Sequence, residues 1–138
     1  MSELGCESRI LGPSSQGKIL EIAFRGTHEL RHGWEMDHYI RKKLADHRPA
    51  AIVFNLLDYQ YVFGNDVTGL FTASIDRDAK GFQMRPVCIV ATGTTYTSLY
   101  NLFKSAKIID VLGIEFVSTV ESALQRLTEK LGLGGRSV

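Results

Sequence analysis

Ile52-Val53-Phe54-Asn55-Leu56, continuing through Leu57–Val62 into Phe63-Gly64-Asn65-Asp66, is the stretch on which the fold turns. Ala51–Leu56 reads as a strand that is apolar on both faces, which a parallel sheet covered on both sides requires. Tyr59–Asp66 then puts aromatics, a glycine and two short polar residues at the carboxyl end of that strand, where α/β proteins gather their functional groups. A plain capped loop with Tyr61 or Phe63 packed beneath it fits the same residues. Asn65 is a good N-cap, and Val67, Leu70, Phe71, Ser74 and Ile75 form one stripe, so the spacing predicts a helix over Asn65–Lys80 with Gly81 as its C′ residue.

Toward the N-terminus, Pro49 stops a helix predicted over Trp34–His47, whose apolar stripe is Met36, Ile40 and Leu44. Before it, Ile19–Phe24 alternates, with Leu20, Ile22 and Phe24 on one side and Glu21 on the other, as a half-buried strand does. Ser8–Leu11 allows a short antiparallel partner, and the turn cluster Gly12–Gly17 makes residues 1–17 a flexible segment. Toward the C-terminus, Val87–Ala91 reads as a buried strand entered through Pro86. A helix over Thr95–Ala106 follows, capped by Thr94, with Leu99, Leu102, Phe103 and Ala106 on one face. Ile114–Val117 is a short strand. Ser118-Thr119-Val120-Glu121 reads as a capping box for a last helix bearing Val120, Leu124, Leu127 and Leu131, and the glycine-rich tail 132–138 should fray.

Strands alternating with helices make this an α/β chain, with a mostly parallel sheet of four to five strands, about four helices and an antiparallel N-terminal edge. One domain over residues 18–131 is expected. Its core should hold Leu20, Ile22, Phe24, Ile52, Phe54, Val87, Ile89 and Val90, with Leu70, Leu99, Phe103 and Leu124 from the helices.

Composition narrows the function. The 138 residues are 44% hydrophobic and 22% charged, which excludes whole-chain disorder. A formal net charge of +1 lacks the basic excess of a phosphate-neutralising nucleic-acid binder. The longest apolar runs, Ala50–Phe54 and Val87–Ala91, are too short to span a bilayer, and Met1–Ile10 lacks the apolar region of a signal peptide. Two lone cysteines, Cys6 and Cys88, read as free thiols in a reducing compartment. A bacterial-style cytoplasmic domain is the expectation.

The usual catalytic constellations do not assemble. His28, His32, His38 and His47 lack a recognisable ligand spacing and read as surface residues around a helix start, so no metal and no cofactor are expected. Cys88 sits mid-strand as a small hydrophobe. Ala91-Thr92-Gly93-Thr94-Thr95 could present helix N–H groups to an anion at Gly93, Thr94 and Thr95, but a tight turn with a threonine cap accounts for it as well.

From Gly17 to Leu131 the chain resembles a STAS domain, the anti-sigma factor antagonist family. Ile52–Leu56 resembles that family's apolar strand ending in Asp-Leu. Phe63-Gly64-Asn65-Asp66 stands where the family has Asp-Ser-Ser-Gly. Val87–Val90, Thr94–Ala106 and Ser118–Leu124 resemble its next strand, third helix and Ser-Val-Glu-Glu-Ala-Leu ending. The family's phosphorylated serine is replaced by Asn65, which has no hydroxyl, while Asp66 adds a permanent carboxylate at a helix start.

The resemblance implies a non-enzymatic interaction domain in a signalling pathway that regulates transcription. Its partner would be an anti-sigma factor kinase or another STAS protein, met through Tyr61, Phe63, Gly64, Asn65, Asp66 and Thr68. Thr68 would be the leading displaced phosphoacceptor, ahead of Thr72 and Ser74, and a homodimer is also compatible. The alternative is a sensor module that takes a small anion or nucleotide between Phe63–Asp66 and Gly93–Thr95.

Overall fold

A computed structural model describes residues 4–14, 17–61, 70, 75–76, 83–105, 107, 109 and 113–134. Strands β1 (Gly5–Ser14), β2 (Gly17–Thr27) and β3 (Ala51–Gln60) flank helix α1 (Leu30–His47). Two-residue strands β4 (Ile75–Asp76) and β5 (Gln83–Met84) precede β6 (Val87–Val90). Helix α2 (Gly93–Ser105), β7 (Glu115–Val117) and helix α3 (Val120–Gly134) complete the described elements.

The main sheet runs β1-β2-β3-β6-β7, with β1 antiparallel to β2 and every other pair parallel. This is a mixed α/β sheet with an antiparallel N-terminal edge, as the residue pattern predicts, and its five strands are the upper end of the four to five expected. Period-two alternation sends the central strands' side chains to two cores. Leu20, Ile22, Phe24, Ile52, Phe54, Val87 and Ile89 face α1 and α2, which supply Met36, Ile40, Leu99 and Phe103. Ile19, Val53, Cys88 and Val90 face α3, which supplies Ala123 and Leu127. The predicted core residues are buried, except that Leu124 is half-buried at the margin of the second core.

Several boundaries differ from the pattern. β1 runs for ten residues where only Ser8–Leu11 was expected, because β2 supplies ladder partners from Gly17 to Arg25. α1 begins at Leu30, four residues before Trp34, with Glu29 at its N-cap. The helix expected over Asn65–Lys80 does not continue to its end: Leu70 is helical, but Ile75–Asp76 pairs as a strand with Gln83–Met84. β-branched Ile75 suits either element, and a downstream partner decides for the strand. The expected cap Asn65 and C′ residue Gly81 lie outside the described residues.

α2 starts at Gly93, not after a Thr94 cap. Gly93 takes φ 61°, a left-handed value that glycine adopts without strain. The cap of α3 is shifted by one residue: Thr119 Oγ1 accepts the Ser122 N–H at 3.1 Å and donates to Ser122 Oγ at 2.9 Å, so Thr119 and Ser122 replace Ser118 and Glu121. That helix extends to Gly134, beyond the expected Leu131.

Candidate functional site

The carboxyl end of β3 is where the candidate loop departs, and a bulge shapes it. Ala23 of β2 is opposite Asn55, but Arg25 is opposite Asp58, so β3 gains one residue. An extra residue reverses the alternation. Leu56 is buried, Leu57 and Asp58 are exposed, and Tyr59 and Tyr61 turn into the same core as Ile52, Phe54 and Leu56. Asn55 braces the bulge: its Oδ1 accepts the Leu57 N–H at 3.1 Å, and its Nδ2 donates to Glu21 Oε2 at 3.3 Å. Glu21, expected on an open face, is 4% exposed and also receives Arg9 Nε at 2.6 Å.

Beyond the bulge, three contacts tie down the strand end. The His28 N–H donates to the Gln60 carbonyl at 2.8 Å. The Thr95 hydroxyl donates to the Tyr59 carbonyl at 2.8 Å and accepts the Tyr61 N–H at 3.1 Å, joining β3 to α2. The Tyr59 hydroxyl lies 2.5 Å from His28 Nδ1 and 3.1 Å from His32 Nδ1. The Glu29 N–H donates to His32 Nδ1 at 3.3 Å, the reciprocal half of a capping box. That contact makes His32 Nδ1 an acceptor. The network then runs from His28 Nδ1–H to the Tyr59 hydroxyl, and from that hydroxyl to His32 Nδ1.

His32 is fully buried, so its reading as a surface histidine is corrected. His28 is half-buried, its ring edge-to-face with Tyr61 at 4.9 Å. No spacing rule finds this cluster, because β3, α1 and the β2–α1 connection each contribute to it. Its legible signal is two histidines four apart near a predicted helix start and a Tyr-x-Tyr at a strand end. Among the described residues, no group of three or more His, Cys, Asp or Glu could hold a metal ion.

Of the predicted partner-binding residues, Tyr61 is buried, and its backbone rather than its ring position fixes where the loop begins. Phe63, Gly64, Asn65, Asp66 and Thr68 lie outside the described residues, as do Thr72 and Ser74. Of the proposed anion site, Thr95 is 7% exposed with its hydroxyl committed to backbone, while Thr94 is exposed. Gly93 instead lines a cleft of about 770 Å³ whose other walls include Ser118, Ser122 and Arg126.

The thiols are also placed. Cys88 is fully buried, and burial first, then the nearby Glu115 carboxylate, push it up to about 11. Cys6 does not sit in a loose segment. It is half-buried in β1 opposite Phe24, and burial, then Glu35, raise its thiol despite Arg25. No described helix is long and apolar enough to cross a membrane.

No protein-family model matches the chain, and no curated protein matches it. Among solved structures, the crystal structure of an anti-sigma factor antagonist from Mycobacterium paratuberculosis superposes with a TM-score of 0.66. It covers 91% of this chain and 95% of that one at 13% sequence identity. The likeness is one of fold: the α/β arrangement described above is a STAS-like one.

Proposed function

We propose that this chain is a non-enzymatic protein-interaction domain acting as an anti-sigma factor antagonist does in a partner-switching pathway. The observation that carries the reading is the shared fold over nine-tenths of the chain with a protein of that description. The braced exit of β3 supports it. A loop that must present a surface to a partner benefits from a fixed origin, and here the bulge, Thr95 and the His28–Tyr59–His32 network supply one. The docking surface is the loop that leaves the buried Tyr61, carried by Phe63–Asp66 with Thr68, and the partner is an anti-sigma factor kinase or another STAS-like protein.

Asn65 stands where the resembling family carries its phosphorylated serine. A phosphate adds about −1.5 to −2 charges and three acceptor oxygens, enough to expel an interface that tolerates a hydroxyl. Asn65 cannot accept one, so binding at this loop is insensitive to ATP. Ser ranks with Asn as an N-cap residue and also brings a hydroxyl, so Asn65→Ser is the variant of choice. The test incubates wild type and Asn65→Ser with an anti-sigma factor kinase and ATP, reading phosphate by intact mass and complex formation by size exclusion. Wild type should bind without phosphate uptake, and the variant should take up phosphate and release. Phosphate in wild type, located by peptide mapping within 61–72, makes Thr68 the leading acceptor and removes the claim of a lost switch. Absence of any complex with kinases or STAS-like proteins removes the interaction reading.

A further inference from the structure

The cleft beside Gly93 has no part in the loop-docking reading. It lies at the carboxyl ends of two adjacent parallel strands, β6 and β7. The helix after β6, α2, packs through Leu99 and Phe103 on one face of the sheet. The helix after β7, α3, packs through Ala123 and Leu127 on the other. Where neighbouring parallel strands send their helices to opposite faces, the chain parts and leaves a crevice, the usual ligand position in open α/β sheets. The volume of about 770 Å³ is that of a small-molecule site.

Its walls carry complementary chemistry. Tyr96 and Phe116 meet edge to face at 5.9 Å, and Tyr100 packs on both, at 5.6 Å from Tyr96 and 5.7 Å from Phe116. Tyr96 nonetheless remains 38% exposed, so a rigid aromatic surface is presented to solvent. Across the cleft, α3 contributes Arg126 and Glu129, three residues apart and so about 5–6 Å apart on one helix face. Glu115 pairs with both Lys130, at 3.1 Å, and Arg126, at 3.4 Å, one carboxylate against two cations, so this group of three keeps a net positive charge, and the Arg126 side chain is 60% exposed. The first turns of α2 and α3, represented here by Gly93 and Ser122, add positive partial charge.

We propose that this cleft binds a small aromatic zwitterion, an aromatic amino acid or a close derivative. The ring lies against Tyr96 and Phe116, the carboxylate on Arg126, and the ammonium on Glu129. Both charged groups are solvated, so each interaction is modest and the aromatic contact supplies the remainder.

The full chain is titrated with L-tryptophan, N-acetyl-L-tryptophan, tryptamine and N-acetyl-L-tryptophanamide, by calorimetry and backbone amide shifts. L-Tryptophan should bind at about 1 mM or tighter and move amides in 91–96 and 116–129. N-Acetyl-L-tryptophan and tryptamine, each missing one charge, should bind more weakly, and the amide missing both weakest. Tyr96→Ala should weaken L-tryptophan at least about tenfold. Arg126→Gln should weaken L-tryptophan and N-acetyl-L-tryptophan but spare tryptamine, and Glu129→Gln should do the reverse for the two mono-charged probes. These side chains reach solvent, so unchanged thermal melts verify folding in each variant. Equal binding of the uncharged amide, shifts centred elsewhere, or no shift with L-tryptophan at about 10 mM overturns the proposal.

Discussion

Asn55 is the only polar residue in Ala51–Leu57, and its two contacts explain it: one satisfies the amide next to the bulge, the other reaches Glu21. A few residues on, the Tyr59 hydroxyl serves two histidines at once. Tyr59→Phe keeps the ring in the core and removes the hydroxyl that makes those bonds. It should cost about 1–3 kcal/mol, the range for depriving buried polar groups of a partner, measured by urea titration. A loss under about 0.5 kcal/mol would show that the histidines find other partners at no cost. Cys88 offers a pH test. The thiolate is the charged form and burial disfavours it, so the folded chain keeps its proton up to about 11 while the unfolded chain releases it near 9.0. Cys88 therefore leaves stability unchanged below about pH 9 and erodes it by about 1.4 kcal/mol per pH unit from there to about pH 11. Cys88→Ala should lose that part of the slope, and a disulfide reagent at pH 8 should modify Cys88 only on unfolding, with Cys6 reacting slowly.

At the scale of elements, α2 is held from both ends. Thr95 fastens its first turn to β3 by two hydrogen bonds, and Phe103 packs its last turn under the sheet, edge to face with Phe116 at 5.6 Å. Phe103 is completely buried. Phe103→Ala should cost about 3–5 kcal/mol, and a value under about 1 kcal/mol in urea would mean that α2 detaches from β7 without consequence. The two-residue hairpin β4–β5 shows how weak local signals lose to pairing. A helical stripe runs through Leu70 and on to Ile75, yet the backbone at 75–76 pairs with 83–84. Stripe spacing records which positions are apolar, not which backbone groups find partners.

At the scale of the whole molecule, β3 is central. It is bonded to β2 on one edge and β6 on the other, and its side chains enter both cores. Amides of Ile52–Asn55 should therefore exchange with solvent only through global unfolding, whereas β1, which among the described strands pairs with β2 alone at the sheet edge, should open locally. Hydrogen exchange under native conditions reads this directly. Equal protection of β1 and β3 would mean that the antiparallel edge folds and unfolds with the rest as one unit.

Much of this was decided locally. Apolar runs at Ala51–Phe54 and Val87–Val90, the stripe Met36–Ile40, and Leu99 with Phe103 are each legible because a strand or helix must place its own apolar residues with its own period. Their alternation along the chain sets the α/β class and a mostly parallel sheet, and the antiparallel edge follows from a turn too short for a crossover, while the order of the strands emerges only in the sheet itself. What depended on the tertiary structure is everything that needs two distant segments. The length of β1 follows from the ladder that β2 offers. The inward turn of Tyr59 and Tyr61 follows from a bulge seen only against β2. The burial of His32 and Glu21 follows from Tyr59, Arg9 and Asn55 reaching them from other elements. The cleft beside Gly93 exists because α2 and α3 leave for opposite faces of the sheet. Periodicity assigns a residue to a face of its own element, but only packing determines which groups share that face, and the polar contacts here run between elements.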